Sequence, residues 1–156
     1  MKAEFINPFL VAAQEVLQAE ASATVRKGTA TIRSSPLMSD DVTVLIGVVG
    51  RVKGVVLYSM SEKTAKEIVG AIIREPVRVL DSMVESAVGE MANVITGRAS
   101  MELEKLGYSV TIAPPSVVVG KNTVISTLQI RRLVIPLVTQ YGDIVVHVAL
   151  SKRQSG

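Results

Sequence analysis

The stretch VTVLIGVVGRVKGVVLYSM, residues 42–60, decides the fold. Two runs that are nearly continuous in Val, Leu and Ile, Val42–Val49 and Lys53–Met60, meet at Gly50-Arg51, the composition of two strands joined by a tight connection. Strands this apolar at successive positions predict a sheet buried on both faces, or buried against a partner. Arg51, Lys53 and the glycines interrupt the window well before the roughly 20 uncharged residues that a membrane span requires. Gly47, Gly50 and Gly54 read as strand and turn glycines, because no Lys-Ser or Lys-Thr pair opening a helix follows them as in a phosphate loop.

Upstream, Val25 to Ser35 is again rich in Val, Ile and Thr and is broken by Ser34-Ser35-Pro36, so about three strands are expected between Val25 and Met60. Before them, Asn7-Pro8 reads as an N-cap with proline at the first helical position of a helix over residues 7–22, its apolar stripe formed by Phe9, Leu10, Ala13, Val16 and Leu17. Downstream, Ser61 caps a second helix with the stripe Ala65, Ile68, Val69, Ile72 and Ile73, which Arg74-Glu75-Pro76 stops. A third helical pattern runs from about Val77 to Leu106 and ends at Gly107. Strands return after it, punctuated by Pro114-Pro115, Gly120-Lys121-Asn122 and Tyr141-Gly142-Asp143, with Ile144–Leu150 the last. Arg131-Arg132 and Pro136 predict an edge or interrupted strand over Gln129–Leu137, and an edge can pair with a second subunit. The order helix, three strands, two helices, about three strands gives an α/β protein of the α+β type. It is a mostly antiparallel sheet with helices packed against it, a single domain over residues 1–156.

Composition narrows the chemistry. The 156 residues, 48% of them hydrophobic, suffice for one buried core, and 17 Lys+Arg against 14 Asp+Glu leave only +3, spread along the chain. No nucleic-acid or membrane partner is therefore expected; the basic pairs Arg131-Arg132 and Lys152-Arg153 lack interleaved aromatics and read as solvated. Zero Cys and one His exclude thiolate nucleophiles, Cys-ligated zinc and a two-histidine mechanism within the chain. His147 alternates with Val146 and Val148 in the last strand and reads as a plain surface or interface histidine. Glu4 and Asn7 at the N-terminus, with no small-residue cleavage site, argue against a secretory signal and for a cytoplasmic location.

The third helix carries the one unusual polar face, in which Ser82, Ser86, Gly89, Glu90, Asn93, Gly97 and Ser100 lie together. At about 100° per residue, Glu90 and Asn93 project roughly 60° and one turn apart, into one patch. Each Gly costs about 1 kcal/mol of helix stability relative to Ala, so a face of tiny residues suggests a close-approaching backbone. A carboxylate can pair with a partner's cation, while a carboxamide donates and accepts at once and can orient a water; together they suit hydrolysis. The spacing alone is weak. Glu4 and Asn7 repeat it where a helix cap explains Asn7, and the Ser/Gly face could equally pack inside the fold.

With its context, the pattern becomes specific. ESAVGEMANVITGRASMELEKLG, residues 85–107, followed by TIAPPSVVVGK, residues 111–121, resembles the CheX branch of the CheC/CheX/FliY chemotaxis phosphatases. The likeness extends to INPFLVAAQEVL as the opening helix and to VTVLIGVVGRVKGVVLYSMSEKTA as the strand pair leading into a helix.

The resemblance implies a phosphatase that removes the aspartyl phosphate of a phosphorylated CheY-type receiver. It implies that Asn93 enters the receiver's site and orients the attacking water, that Glu90 pairs with a receiver lysine, and that Mg2+ belongs to the receiver, this chain binding no metal. Small residues at Ser86, Gly89 and Gly97 would then let the receiver's loops approach. One intact Glu-x-x-Asn copy fits the CheX type, whose members form homodimers. A non-catalytic receiver-binding or dimeric scaffold module is the alternative.

Overall fold

The computed structural model describes residues 3–121, 123–125 and 131–152. Its centre is the hairpin of β3 (Val42–Gly50) and β4 (Val52–Met60), with Val42 opposite Met60 and Val48 opposite Gly54. Gly54 has φ +152°, and a Cβ there would run into the carbonyl of Ala149 on the next strand, so only glycine fits. Around the hairpin, β1 (Val25–Lys27), β2 (Thr31–Arg33), β5 (Val110–Ile112), β6 (Ser116–Val119), β7 (Arg132–Thr139) and β8 (Gly142–Lys152) complete an antiparallel sheet. Its order is β1-β7-β8-β4-β3-β5, with β2 also on β7 and β6 also on β3.

Both edges are broken at proline. Between the pairs Ile112–Val48 and Ser116–Leu45, residues 113–115 oppose only 46 and 47; this bulge at Pro114-Pro115 divides one edge strand into β5 and β6. At the other edge residues 28–30 oppose 135 and 136, where Gly28 donates to the Pro136 carbonyl at 2.8 Å and proline has no N–H to return. This is why four strands rather than three precede the second helix and four rather than three close the chain. The break expected in the strand around Pro136 thus falls on its neighbours: β7 lies inside the sheet, between β8 and β1/β2. Gln129 lies outside the described residues.

Three helices, α1 (Ile6–Ala21), α2 (Glu62–Ile73) and α3 (Ser82–Lys105), cover one face of the sheet. Rows such as Val44, Tyr58, Val146 and Ile135, in register across β3, β4, β8 and β7, are buried beneath Phe9, Leu17, Val88, Ala92 and Ile95. On the face that points the other way, burial is partial: Leu57, Val134 and Ala149 are buried, Leu45 and Val55 are half-buried and Val49 is exposed, so the both-face burial expected from the apolar runs of β3 and β4 holds only in part.

The helix boundaries follow capping chemistry. Ser61 accepts a hydrogen bond from the Thr64 N–H at 3.1 Å, as expected, and α2 ends at Arg74 in the left-handed region with φ 60°. The third helix starts five residues later than the periodicity suggests. Asp81 accepts from the Val84 N–H at 3.0 Å and caps it, leaving Val77–Leu80 outside. Its end is the one expected: Gly107, at φ +93°, lets the Tyr108 N–H reach back to the Leu103 carbonyl at 2.9 Å. Asn7 is not a cap. A 3-10 turn, Ala3–Phe5, leads directly into α1, so Asn7 and Pro8 sit within its first turn, where proline is still tolerated. Among the described residues no helix is long and apolar enough to cross a membrane.

Candidate functional site on α3

The buried side of α3, formed by Val84, Val88, Met91, Ala92, Ile95, Thr96, Ala99 and Leu103, sets the direction of its outer side. Beneath the middle of the helix, Thr96 Oγ1 donates to the Ala92 carbonyl at 2.7 Å and Tyr58 Oη lies 2.7 Å from the same Oγ1. A threonine hydroxyl has one proton, and Ala92 takes it, so the phenol donates. Full burial pushes the Tyr58 pKa well above its ordinary value, against the lowering effect of Thr96, and keeps it a donor.

With the helix roll set this way, Glu90 is exposed and Asn93 half-buried. Among the described residues neither side chain has a hydrogen bond or an ion pair. Two turns further along α3, Arg98 is engaged with other carboxylates: its Nε meets Glu15 of α1 at 2.8 Å and its Nη1 meets Glu102 at 2.7 Å. The bond to Arg98, followed by one to Lys105, holds the Glu102 carboxyl below its usual pKa. Sequence reasoning missed this clamp, for which the i,i+4 spacing of Arg98 and Glu102 was the available signal.

The small residues divide into two groups. Gly89 is buried, and a Cβ there would lie 3.2 Å from Val117 Cγ2 and 3.8 Å from Pro115 Cγ, so its size is accounted for by the bulged β5–β6 edge packing on α3. Ser86 remains exposed; Gly97 is half-buried, with only Ile112 Cδ1 within reach of a Cβ, at 3.9 Å. Asn93 projects about 40° from Gly89 and 60° from Glu90, which explains its partial burial beside the β5–β6 wall.

Elsewhere, His147 and Arg132 depart from the surface reading. Both are buried on the sheet face away from the helices; Arg132 Nε donates to His147 Nδ1 at 3.2 Å, and Arg132 Nη1 donates to the Ser35 carbonyl. Burial first, then the charges of Arg132 and Arg33, lower the His147 pKa to about 4. The sheet separates this pair from Glu90 and Asn93. Lys152 is exposed as expected, with Nζ 5.7 Å from the centre of the Tyr108 ring, while Arg153 lies outside the described residues. Among the described residues no group of three or more His, Asp or Glu converges as a metal site.

Residues 42–138 match the family model described as chemotaxis phosphatase CheX. The CheY-P phosphatase CheX of Thermotoga maritima is 30% identical over 123 residues, 78% of this chain and 79% of that protein. The crystal structure of a chemotaxis protein CheX from Desulfovibrio desulfuricans superposes with a TM-score of 0.87 at 26% identity, covering 95% of this chain and 99% of that one. The CheX chain in a CheX–CheY–beryllofluoride–magnesium complex from Borrelia burgdorferi gives 0.81 at 26% identity, with 97% and 100% covered. A mixed fold with a bulged antiparallel sheet under three helices, an outward Glu90 and Asn93 on α3, and these matches lead to one assignment: the chain belongs to the CheX family of chemotaxis phosphatases.

Proposed function

We propose that this chain hydrolyses the aspartyl phosphate of a CheY-type receiver, with α3 as the element that enters the receiver's site. Asn93 accepts from and donates to the attacking water, holding its lone pair on the line to phosphorus. Water adds to phosphorus, the bond to the aspartyl oxygen breaks, both water protons end on the released phosphate, and the receiver carboxylate is regenerated. Most of this chemistry is positioning and charge stabilisation, which one well-placed amide can serve when the receiver supplies Mg2+. Glu90 pairs with a receiver lysine and fixes the register. Ser86 and Gly97 leave room for the receiver's loops.

The observation that carries this reading is the exposed Glu90 and half-buried Asn93, neither with a hydrogen bond or ion pair among the described residues, on a helix whose roll is set from beneath by Tyr58. The experiment is the lifetime of a phosphorylated receiver with and without the chain. A hydrolase shortens it; a module that only binds leaves it unchanged or lengthens it. The same reading places the chain in the cytoplasm with its receiver and makes it a homodimer, which sedimentation at micromolar concentration checks.

A further inference from the structure

Beside the Glu90 ridge, the three helices leave a groove of about 290 Å3 whose floor and walls are apolar: Val16 of α1, Ile72 of α2, and Ala87, Met91 and Val94 of α3. It falls just below the roughly 300–1,000 Å3 of small-molecule sites and suits an inserted side chain. Val94 is 40% exposed, an apolar side chain left open one turn from Glu90.

The two remaining lining residues are both carboxylates, Glu20 of α1 and Glu90. Glu20 lies in the last turn of α1, which holds no basic residue, so a negative charge sits at the negative end of a helix dipole. Among the described residues neither Glu20 nor Glu90 has an ion pair, and no Lys or Arg lines the groove to relieve them. Two uncompensated negative charges on one apolar cleft are complementary to an apolar side chain flanked by a cation. Glu90 belongs to both the ridge and the groove, so a partner that pairs with Glu90 stands at the rim of the groove.

Taking these together, and resting on the receiver reading above, we infer that the groove is a second docking point for the receiver. It seats an apolar side chain of a receiver segment, and Glu20 meets a lysine or arginine next to that side chain. Its role is selection among receivers: it contributes to complex formation before chemistry, while Asn93 acts on the water. Glu20 is then a specificity residue outside the Glu-x-x-Asn motif.

The test is steady-state dephosphorylation of a CheY-type receiver, loaded from a small-molecule phosphodonor, by the parent, Glu20→Lys and Val94→Ser. The expected result is a KM raised about fivefold or more in each variant with kcat within about twofold of the parent, and a steeper salt dependence of KM in the parent than in Glu20→Gln. Both positions are solvent-facing, and a thermal melt of each variant checks folding; Glu20→Gln with the salt series serves if Glu20→Lys does not fold. Unchanged KM in the variants of an active parent overturns the groove assignment and leaves the phosphatase reading standing. A parent that does not shorten the receiver's phosphate lifetime overturns both.

Discussion

Tyr58 Oη, at the centre of the sheet, donates across 2.7 Å to Thr96 Oγ1, three residues beyond Asn93 on α3. This single buried contact ties the rotation of the functional helix to β4, a central strand of the sheet. Its two partners differ in what they lose when the bond is cut.

Tyr58→Phe leaves Thr96 still bonded to the Ala92 carbonyl, so a cost of about 1 kcal/mol is expected. Thr96→Val strands a buried phenol proton and costs more, about 1–3 kcal/mol. Urea unfolding of the two variants gives this order; equal losses, or a larger loss in Tyr58→Phe, contradict the assigned direction of donation.

The glycines on α3 separate by packing. Gly97→Ala meets only ordinary contact at 3.9 Å from Ile112 Cδ1 and stabilises the helix by up to about 1 kcal/mol. It also raises KM for the receiver, because the added methyl lies on the approach. Gly89→Ala, at 3.2 Å from Val117 Cγ2, gains less stability or loses some, since the bulged edge must move. Thermal melts and receiver kinetics on both variants check the pair.

His147 makes stability fall with acid. Its folded pKa, lowered to about 4 from 6.5, means that it stays neutral in the native state while the unfolded chain takes up a proton. That contribution is complete above pH about 6.5 and is lost as pH falls through about 4. Between pH 7 and pH 4.5 the parent is expected to lose roughly 2–3 kcal/mol more than His147→Gln. Parallel urea curves at the two pH values test it; equal losses reject it.

Much of the architecture is legible in the chain because it rests on local signals. Ser61, Gly107 and the nearly continuous Val, Leu and Ile of residues 42–60 each act through capping, positive φ or burial within their own element. The misses have longer reach. Asp81 outcompetes the apolar periodicity of Val77–Leu80 for the helix start, and Pro136 breaks its neighbours rather than its own strand. Arg132, solvated by composition, is buried because Ser35 and His147, far apart in sequence, meet it. At the site, Glu90 and Asn93 share a face by helical geometry alone. That Gly89 serves the β5–β6 bulge and Arg98 is held by Glu15 depends on tertiary neighbours that no spacing within α3 encodes.

Glu90→Gln removes the charge that meets the receiver's lysine while keeping shape and polarity. An approximately tenfold loss in kcat/KM, carried mainly by KM and diminishing at high salt, is the expected result. Receiver titrations at low and high ionic strength measure it; a loss independent of salt contradicts the ion pair.

The most direct test is the single-turnover decay of a phosphorylated receiver under saturating Asn93→Ala. The account predicts that the variant still binds the beryllofluoride-activated receiver, within about threefold of the parent, but that decay slows by about 100-fold or more, toward the receiver's own rate. A variant that binds and accelerates decay as well as the parent contradicts the assignment of Asn93 to the attacking water.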